Sequence, residues 1–487
     1  MNLAQVCLSA PASSPALIFI PAAGAPVRLT AEEFKSRVLA MASCIRGGEP
    51  RSPVLIRLSH GVDFAAAFLG AIAAGRISVP LSPMLTAAEV QWIAHNAGAD
   101  AAFVDPALPF PDLPLFRIEP DQAASSAPEE SDQFVQLKPE DPAFLVYTSG
   151  TSGTPRGVLH AHRNIFGRKP MTAGWTGLGP SDRVFHAGTL NWTYTLGVGL
   201  MDPLREGACA VLADPPAELD GYLEIIEKER ITLFAAVPGL YRRILKYADF
   251  GRHNLSSLRH CLTAGSALST QLYSAWKRAS GCELYEALGM TEISTYISSG
   301  PDVPVRPGSP GRIQASRKVT LLDPQTGQIL GPGERGVIAV HRDEPGLMLG
   351  YWRNEEATRA AFLGDYFITG DFAFLDRDGY VHYEGRADEM MNASGYRVSP
   401  LEIEKVLSMH ESVAEAACAE VEPPGRDITI ICAFIVLKPG FDESVRTAIH
   451  EFAAGLLAHY KLPKEIVFLK ELPRNPNGKL LRRNLRL

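Results

Sequence analysis

The chain has 487 residues, 46% of them hydrophobic and 21% charged, with a formal net charge of −7. That length exceeds one ordinary core, so roughly two or three domains are expected, and the charge balance gives no electrostatic footprint for nucleic acid. The seven cysteines are scattered and form no C-x-x-C pair, which argues against a disulfide framework or a zinc site and suits a reducing compartment. No basic segment precedes Arg28, and the longest small-apolar run, Phe64 to Gly75, is too short for a membrane span. A cytoplasmic protein is expected.

In chain order, Phe64 to Gly75 reads as a buried helix ending at glycine, followed by a strand at Ile77 to Leu81. Ala143 to Tyr147 is a short, nearly all-apolar run, as in a buried strand. The spacing predicts a helix over Glu218 to Glu229 and a buried strand over Ile231 to Pro238. This alternation argues for parallel sheets covered by helices. From about Val319 the pattern changes to short strands with Gly-rich turns: Val319 to Asp323, Gly336 to His341, Tyr380 to Tyr383. Beyond Gly385 come a helix with Ser399 as N-cap, Pro400 at its first position and Glu402 closing a capping box. Two strand-like runs (Val413 to Glu420, Ile428 to Leu437) and a helix over Ser444 to His459 complete a small α+β tail.

The segment Tyr147 to Val158 reads YTSGTSGTPRGV. Its glycines allow positive φ and close approach of a ligand. Successive N–H groups with the hydroxyls of Thr148, Ser149, Thr151 and Ser152 can form a concavity for phosphate oxygens. It is not a Walker A loop, since no G-x-x-x-x-G-K-[ST] occurs in the chain. Downstream, Asp371 follows a glycine turn in Tyr366-Phe367-Ile368-Thr369-Gly370-Asp371. Its ionised carboxylate offers two acceptor oxygens, suited to a pair of sugar hydroxyls. Asp376 and Asp378 fit an Asx turn better.

The loop resembles the phosphate-binding motif of the adenylate-forming superfamily of acyl-CoA synthetases, carrier-protein adenylation domains and luciferases, with Arg156 where that family usually has Lys. Further resemblances follow in order. Thr263 to Leu268 is similar to the family's G-G-A-P-L segment, and Tyr285 to Glu292 to its Y-G-x-T-E element. Tyr366 to Asp371 matches Y-x-T-G-D. Gly385 to Met390 with Ser394 to Glu404 resembles the G-R-x-D-D stretch and its continuation, and Leu472 to Lys479 the P-x-x-x-x-G-K segment. The matches run from Tyr147 to Lys479, about two thirds of the chain.

The resemblance implies an α/β fold. A large N-terminal domain (1–387) would hold parallel helix-covered sheets and a small β-barrel-like part, followed by a small mobile α+β domain (388–487). It implies that Thr148, Ser149, Gly150, Thr151, Ser152, Gly153, Thr154 and Arg156 bind phosphate. The backbone of Gly265, Ser266 and Ala267 would line the adenine pocket, together with Glu286, Ala287, Leu288, Gly289 and Met290. Leu288 stands where relatives often carry an aromatic, so Tyr383 is the expected source of a stacking ring. Glu292 would face Mg²⁺, Thr291 the acyl phosphate, Asp371 the ribose, and Arg386 ribose and phosphate, with Arg397 in the same cofactor-binding set. Asp388 would be the hinge, Gly395 would lie beside the pantetheine tunnel, and Lys479 would bridge carboxylate and α-phosphate.

The implied chemistry is activation of a carboxylic acid by MgATP to acyl-AMP and pyrophosphate, then transfer to coenzyme A. Loading of a carrier protein's pantetheine thiol is the alternative, and a nucleotide-binding regulator without turnover a third. A homodimer is compatible with this. Leu190 to Tyr194 resembles the pocket segment of the acetyl and medium-chain subgroup, and His186, Trp192, Thr193, Tyr194, Val237 and Gly289 are the candidate acyl-pocket residues. Acetyl-specific relatives carry a Trp at the position of Gly289, so the glycine is expected to leave open volume for a medium-chain or aromatic acid.

Overall fold

A computed structural model describes residues 1–120, 133–148, 155–386, 389, 391–393, 396–423, 429–474 and 480–487. The chain divides into two compact units, Met1–Lys318 with His341–Asp365, and Val319–Val340 with Tyr366–Leu487.

The first unit is built on two mainly parallel sheets. In one, the strands lie in the order Val27–Thr30, Pro15–Ile20, Cys209–Ala213, Arg183–His186, Leu233–Ala236, His260–Ala264, Glu283–Met290, Ser294–Ser298. In the other the order is Gly350–Tyr351, Arg156–Ala161, Pro142–Thr148, Ile77–Pro80, Pro53–Arg57, Ala101–Val104, Phe116–Ile118. Helix Val62–Ala73 buries every residue except Asp63, which pairs with Arg37 at 2.6 Å. A helix apolar all round must be enclosed, and this one packs with helix Ala31–Ser43 in the largest core cluster. The expected helix at 218–229 is Asp220–Lys228, and the strand after it is Leu233–Ala236.

A return excursion, His341–Asp365, belongs to this unit. It places Gly350–Tyr351 antiparallel on Arg156–Ala161, with Tyr351 opposite Val158. The excursion is anchored by Arg317 and Glu344, whose side chains are 0% and 1% exposed and 2.8 Å apart. Arg317 also donates to the carbonyls of Gly167 and Thr295 at 2.6 Å. Glu344 accepts from the backbone N–H of Lys318 at 2.9 Å.

In the second unit, strands Val319–Leu322, Arg335–His341, Tyr366–Leu375 and Tyr380–Arg386 pair in sequence order. Asp376 makes the expected Asx turn, accepting from the N–H groups of Asp378 and Tyr380, both at 2.9 Å. A three-stranded sheet (Val413–Val421, Ile430–Leu437, Glu465–Phe468) shares a core with helices Pro400–Leu407 and Arg446–Ala454.

Two expectations need correction here. Ser399 is the N-cap of Pro400–Leu407 but makes no capping hydrogen bond; its hydroxyl donates to the Glu384 carbonyl. Glu402 pairs with Lys461 at 2.5 Å, so the capping box is absent because both side chains have tertiary partners. The helix predicted over Ser444 to His459 is shorter, a 3₁₀ turn at Glu443–Val445 followed by Arg446–Ala454 with Gly455 as its C-cap. Among the described residues no helix is long and apolar enough to cross a membrane.

Removing one partner of a buried ion pair leaves an uncompensated charge. Glu344→Ala is therefore expected to lower unfolding stability by about 3–5 kcal/mol. The double variant Arg317→Met, Glu344→Leu is expected to lose much less. Denaturant unfolding of the three proteins checks the order, and equal losses in single and double variants would refute it.

Candidate active site

In the first sheet the direction of strand succession reverses at Arg183–His186. The next strand in sequence, Cys209–Ala213, lies on one side of it and the one after, Leu233–Ala236, on the other. Ligands of open α/β sheets bind outside the carboxyl ends of strands at such a reversal. The candidate residues of this unit collect along that edge. His186 ends its strand, Val237 follows Leu233–Ala236, Gly265 follows His260–Ala264, and Thr291 and Glu292 follow Glu283–Met290.

The acyl-pocket candidates interlock. The rings of Trp192 and Tyr194 meet edge to face at 5.3 Å, and Tyr194 meets His186 at 4.2 Å. Trp175 stacks on Tyr194 from another side at 5.8 Å. Tyr194 leads directly into a π-helical turn, Thr195–Met201, in which every residue is buried; such turns recur at functional sites. Burial pushes His186 down to about 3, so the ring is neutral. Its Nδ1 accepts from the Gly188 N–H at 3.0 Å, which leaves the proton on Nε2. Gly265 has φ +90°, and a Cβ there would lie 3.1 Å from the Trp192 ring and 3.9 Å from Val237. Trp192, Gly265 and Val237 therefore line one spot. Thr193, partly exposed, precedes Tyr194, and Gly265, Ser266 and Ala267 are exposed on the bend beyond their strand.

Gly289 departs from expectation. A Cβ at this position would fall 2.5 Å from the Ser294 carbonyl oxygen and 2.7 Å from Thr295 Cα. The register between Glu283–Met290 and Ser294–Ser298 shifts between Leu288 and Gly289, so a bulge brings two backbones together. A Trp side chain here would have to displace main chain at its first carbon before reaching any open volume. Ala287 is buried on this strand, while Leu288 and Met290 are partly exposed.

The bulge leads into the turn carrying Thr291 and Glu292. The neutral ring of His160, pushed down to about 3 by burial, donates from Nε2 to the Thr291 carbonyl at 2.9 Å. Its Nδ1 accepts from Asn164 at 3.2 Å. The Glu292 backbone carbonyl accepts from Met348 N–H at 2.7 Å, and Tyr351 donates its hydroxyl to Glu292 Oε1 at 3.0 Å. The Arg156 guanidinium lies over the Tyr351 ring, 5.6 Å from its centroid. Thr148 and Arg156 stand opposite each other in the hairpin that brackets the phosphate-loop motif. Ser149, Gly150, Thr151, Ser152, Gly153 and Thr154 lie outside the described residues, as do Asp388, Gly395 and Lys479. Of Arg397 only the backbone is described, in strand Tyr396–Val398.

Glu286 is buried beside Thr263, which it faces across the strand pair. Its carboxyl accepts from the Leu268 N–H at 3.1 Å. Burial pushes it up to about 7.

In the second unit, Asp371 and Arg386 are register partners, with guanidinium and carboxylate 3.6 Å apart. Arg386 donates to the Thr369 carbonyl at 3.0 Å. Tyr383 donates its hydroxyl to Asp371 Oδ1 at 3.1 Å, so its polar end is committed to orienting that carboxylate. The Thr369 hydroxyl accepts from the Asp371 N–H at 3.1 Å and donates to the Ile338 carbonyl at 2.8 Å.

Residues 4–352 match the model of the AMP-binding enzymes, and residues 402–479 that of the AMP-binding enzyme C-terminal domain. The chain belongs to the AMP-binding enzyme superfamily, in its acyl-CoA ligase branch. It is 32% identical to a benzoate–CoA ligase of Thauera aromatica, over 94% of this chain and 90% of that one. A benzoate CoA ligase structure from Burkholderia xenovorans LB400 is 28% identical with TM-score 0.86, each chain covered 100%. ATP-bound MatB from Rhodopseudomonas palustris is 26% identical with TM-score 0.88, covering 99% of this chain and 98% of that one. This is the family of AMP-forming acid–CoA ligases.

Motif resemblance did not single out Tyr351 or His160. Tyr351 sits on a two-residue strand with no periodicity to read, and His160 lies in strand Arg156–Ala161.

Glu286 supplies a pH test. Its folded pKa lies above its ordinary 4.5, so the unfolded chain releases this proton first and the carboxyl's contribution to stability falls as pH rises from 4.5 to about 7. Gln keeps the acceptor without the titration. The stability advantage of Glu286→Gln over wild type is expected to grow across this window and then level off. Thermal unfolding of both proteins in a buffer series measures it, and a constant difference would count against a buried neutral acid.

Proposed function

We propose that the protein is an ATP-dependent acyl-CoA synthetase acting on an aromatic or medium-chain carboxylic acid, aromatic acids first. The observation that carries this reading is similarity to a benzoate–CoA ligase along 94% of the chain. The interlocked Trp192, Tyr194 and His186 at the strand reversal support it. In the first half-reaction a carboxylate oxygen attacks the α-phosphorus of ATP, and the bond to pyrophosphate breaks. In the second the thiol of coenzyme A attacks the acyl carbon, releases AMP and leaves a thioester. The chain's contribution is position and charge. Arg156 and the loop before it receive phosphate, Asp371 the ribose hydroxyls, and Lys479 the carboxylate and α-phosphate.

Glu292 suits one hard-oxygen contact to Mg²⁺. Among the described residues no group of three or more His, Cys, Asp or Glu side chains could hold a metal ion. Mg²⁺ held there would draw its other ligands from phosphate oxygens and water, the usual arrangement for this ion, and would neutralise phosphate charge. The proposal includes a domain boundary at residues 387 and 388, with Asp388 as hinge, and a pantetheine path beside Gly395. Loading of a carrier protein is the second reading, and direct comparison of free coenzyme A with a pantetheinylated carrier decides between them.

A substrate panel tests the acid. Benzoate-type and six- to eight-carbon acids are expected to exceed acetate in kcat/KM, because each buried CH₂ adds about 0.8 kcal/mol. Efficient turnover of acetate over all of them would defeat this reading. Lys479→Ala is expected to lose acid-dependent ATP–pyrophosphate exchange by at least about two orders of magnitude, as for one preorganised charge. It should still convert synthetic acyl-AMP and coenzyme A to thioester. Parallel loss of both half-reactions in a folded variant would remove Lys479 from this role.

A further inference from the structure

We propose that Tyr351 is a positioning residue for the adenylation step, its hydroxyl fixing the Glu292 carboxylate and its ring face holding the Arg156 guanidinium. The inference rests on the reading of Glu292 as the magnesium-facing group and names the device that sets its geometry.

Three observations meet at this side chain. Its hydroxyl donates to Glu292 Oε1 at 3.0 Å. The Arg156 guanidinium stands 5.6 Å from its ring centroid, within the range of cation–π attraction. Its backbone is clamped, because Tyr351 N–H donates to Thr358 Oγ1 at 2.9 Å and Trp352 N–H to the Gly157 carbonyl at 2.8 Å. The same excursion holds Glu292 from its other side through Met348 N–H. One short strand thus fixes an acidic side chain at the end of one sheet and a cation beside the phosphate-loop motif of the other. A phenol suits this place because it orients a carboxylate by donation without cancelling its charge. Donation from a neutral phenol leaves the carboxylate its negative charge toward a cation.

The test is ATP binding without acid, measured by titration calorimetry with Mg²⁺ and, separately, with a chelator. Tyr351→Phe keeps the ring and removes the hydroxyl. It is expected to weaken MgATP binding roughly tenfold, as for one hydrogen bond to a charged group, and to leave metal-free ATP binding unchanged. Tyr351→Ala, which also removes the ring under Arg156, should weaken both. Glu292→Gln is the reference. If Glu292→Gln loses the Mg²⁺-dependent part and Tyr351→Phe does not, the positioning role is wrong while the Glu292 reading survives. If Glu292→Gln binds MgATP as wild type does, that reading fails and takes the proposal with it. Equal loss with and without Mg²⁺ in Tyr351→Phe would also overturn the proposal, since it marks general damage. Should the Phe variant fold poorly, Glu292→Asp withdraws the carboxylate from the same hydroxyl. It should show the same selective loss, and full MgATP affinity there would overturn the proposal.

Discussion

The buried pair of Arg317 and Glu344 is the constraint on which the first unit's site depends. A chain that leaves Lys318 and re-enters at His341 must be fixed where it re-enters, and this pair does so with nearly zero exposure. Burying two charges costs several kcal/mol each, and their attraction repays this only when the remaining donors and acceptors are also satisfied. Here Arg317 reaches two backbone carbonyls besides the carboxylate, and Glu344 takes N–H donors from Lys318 and Gly346. An apolar pair would fill the volume but would not fix the backbone of Thr295, Gly167 and Lys318 in one arrangement. We read the ion pair as a device for register more than for stability.

That register passes outward along the excursion. From Glu344 the chain places Met348 on the Glu292 carbonyl, Leu349 on Leu159, and Trp352 on Gly157. The Trp352 indole then donates to the carbonyls of Asn96 and Ala97 at 3.2 Å, and Asn96 in turn accepts from the Tyr147 hydroxyl at 2.7 Å. Both strands that bracket the phosphate-loop motif are thus held from the excursion side. At the bulge beside Gly289, main chain occupies the space a Cβ would need. Under the proposed function, acyl selectivity is better sought in Trp192, Tyr194 and His186 than at Gly289.

Much of this was legible in sequence where local pattern and tertiary environment agree. The all-apolar run at 64–73 had to be an enclosed helix, and the helix–strand alternation had to give parallel sheets covered by helices. The capping box at Ser399 was illegible because its two side chains have better partners far away in sequence, the Glu384 carbonyl and Lys461. Gly289 misled for a related reason: a missing side chain reads the same whether the space beside it is a pocket or a neighbouring strand. Tyr351 carries its information in a contact 59 residues away in sequence, which no periodicity encodes. The neutrality of His160 and His186 and the raised pKa of Glu286 likewise follow from burial, a property of the assembled sheets and of no short segment.

The two units repeat one device. In the first, Tyr351 donates to Glu292; in the second, Tyr383 donates to Asp371. Burial is the leading cause that pushes both phenols well above their ordinary range, with the adjacent carboxylate acting in the same direction, so each stays a neutral donor across the physiological range. A lysine in either place would hold its carboxylate more strongly but would set a second positive charge against it. In both places an arginine completes the set. Arg156 is over the Tyr351 ring, and Arg386 stands 3.6 Å from Asp371. Under the proposed function the arginine supplies positive charge toward phosphate while the phenol keeps the acid oriented. On that reading the first set meets phosphates and the second a ribose, and each holds an acid and an arginine close together. In both places a neutral phenol orients the acid without adding a charge, which a tyrosine does and a lysine does not.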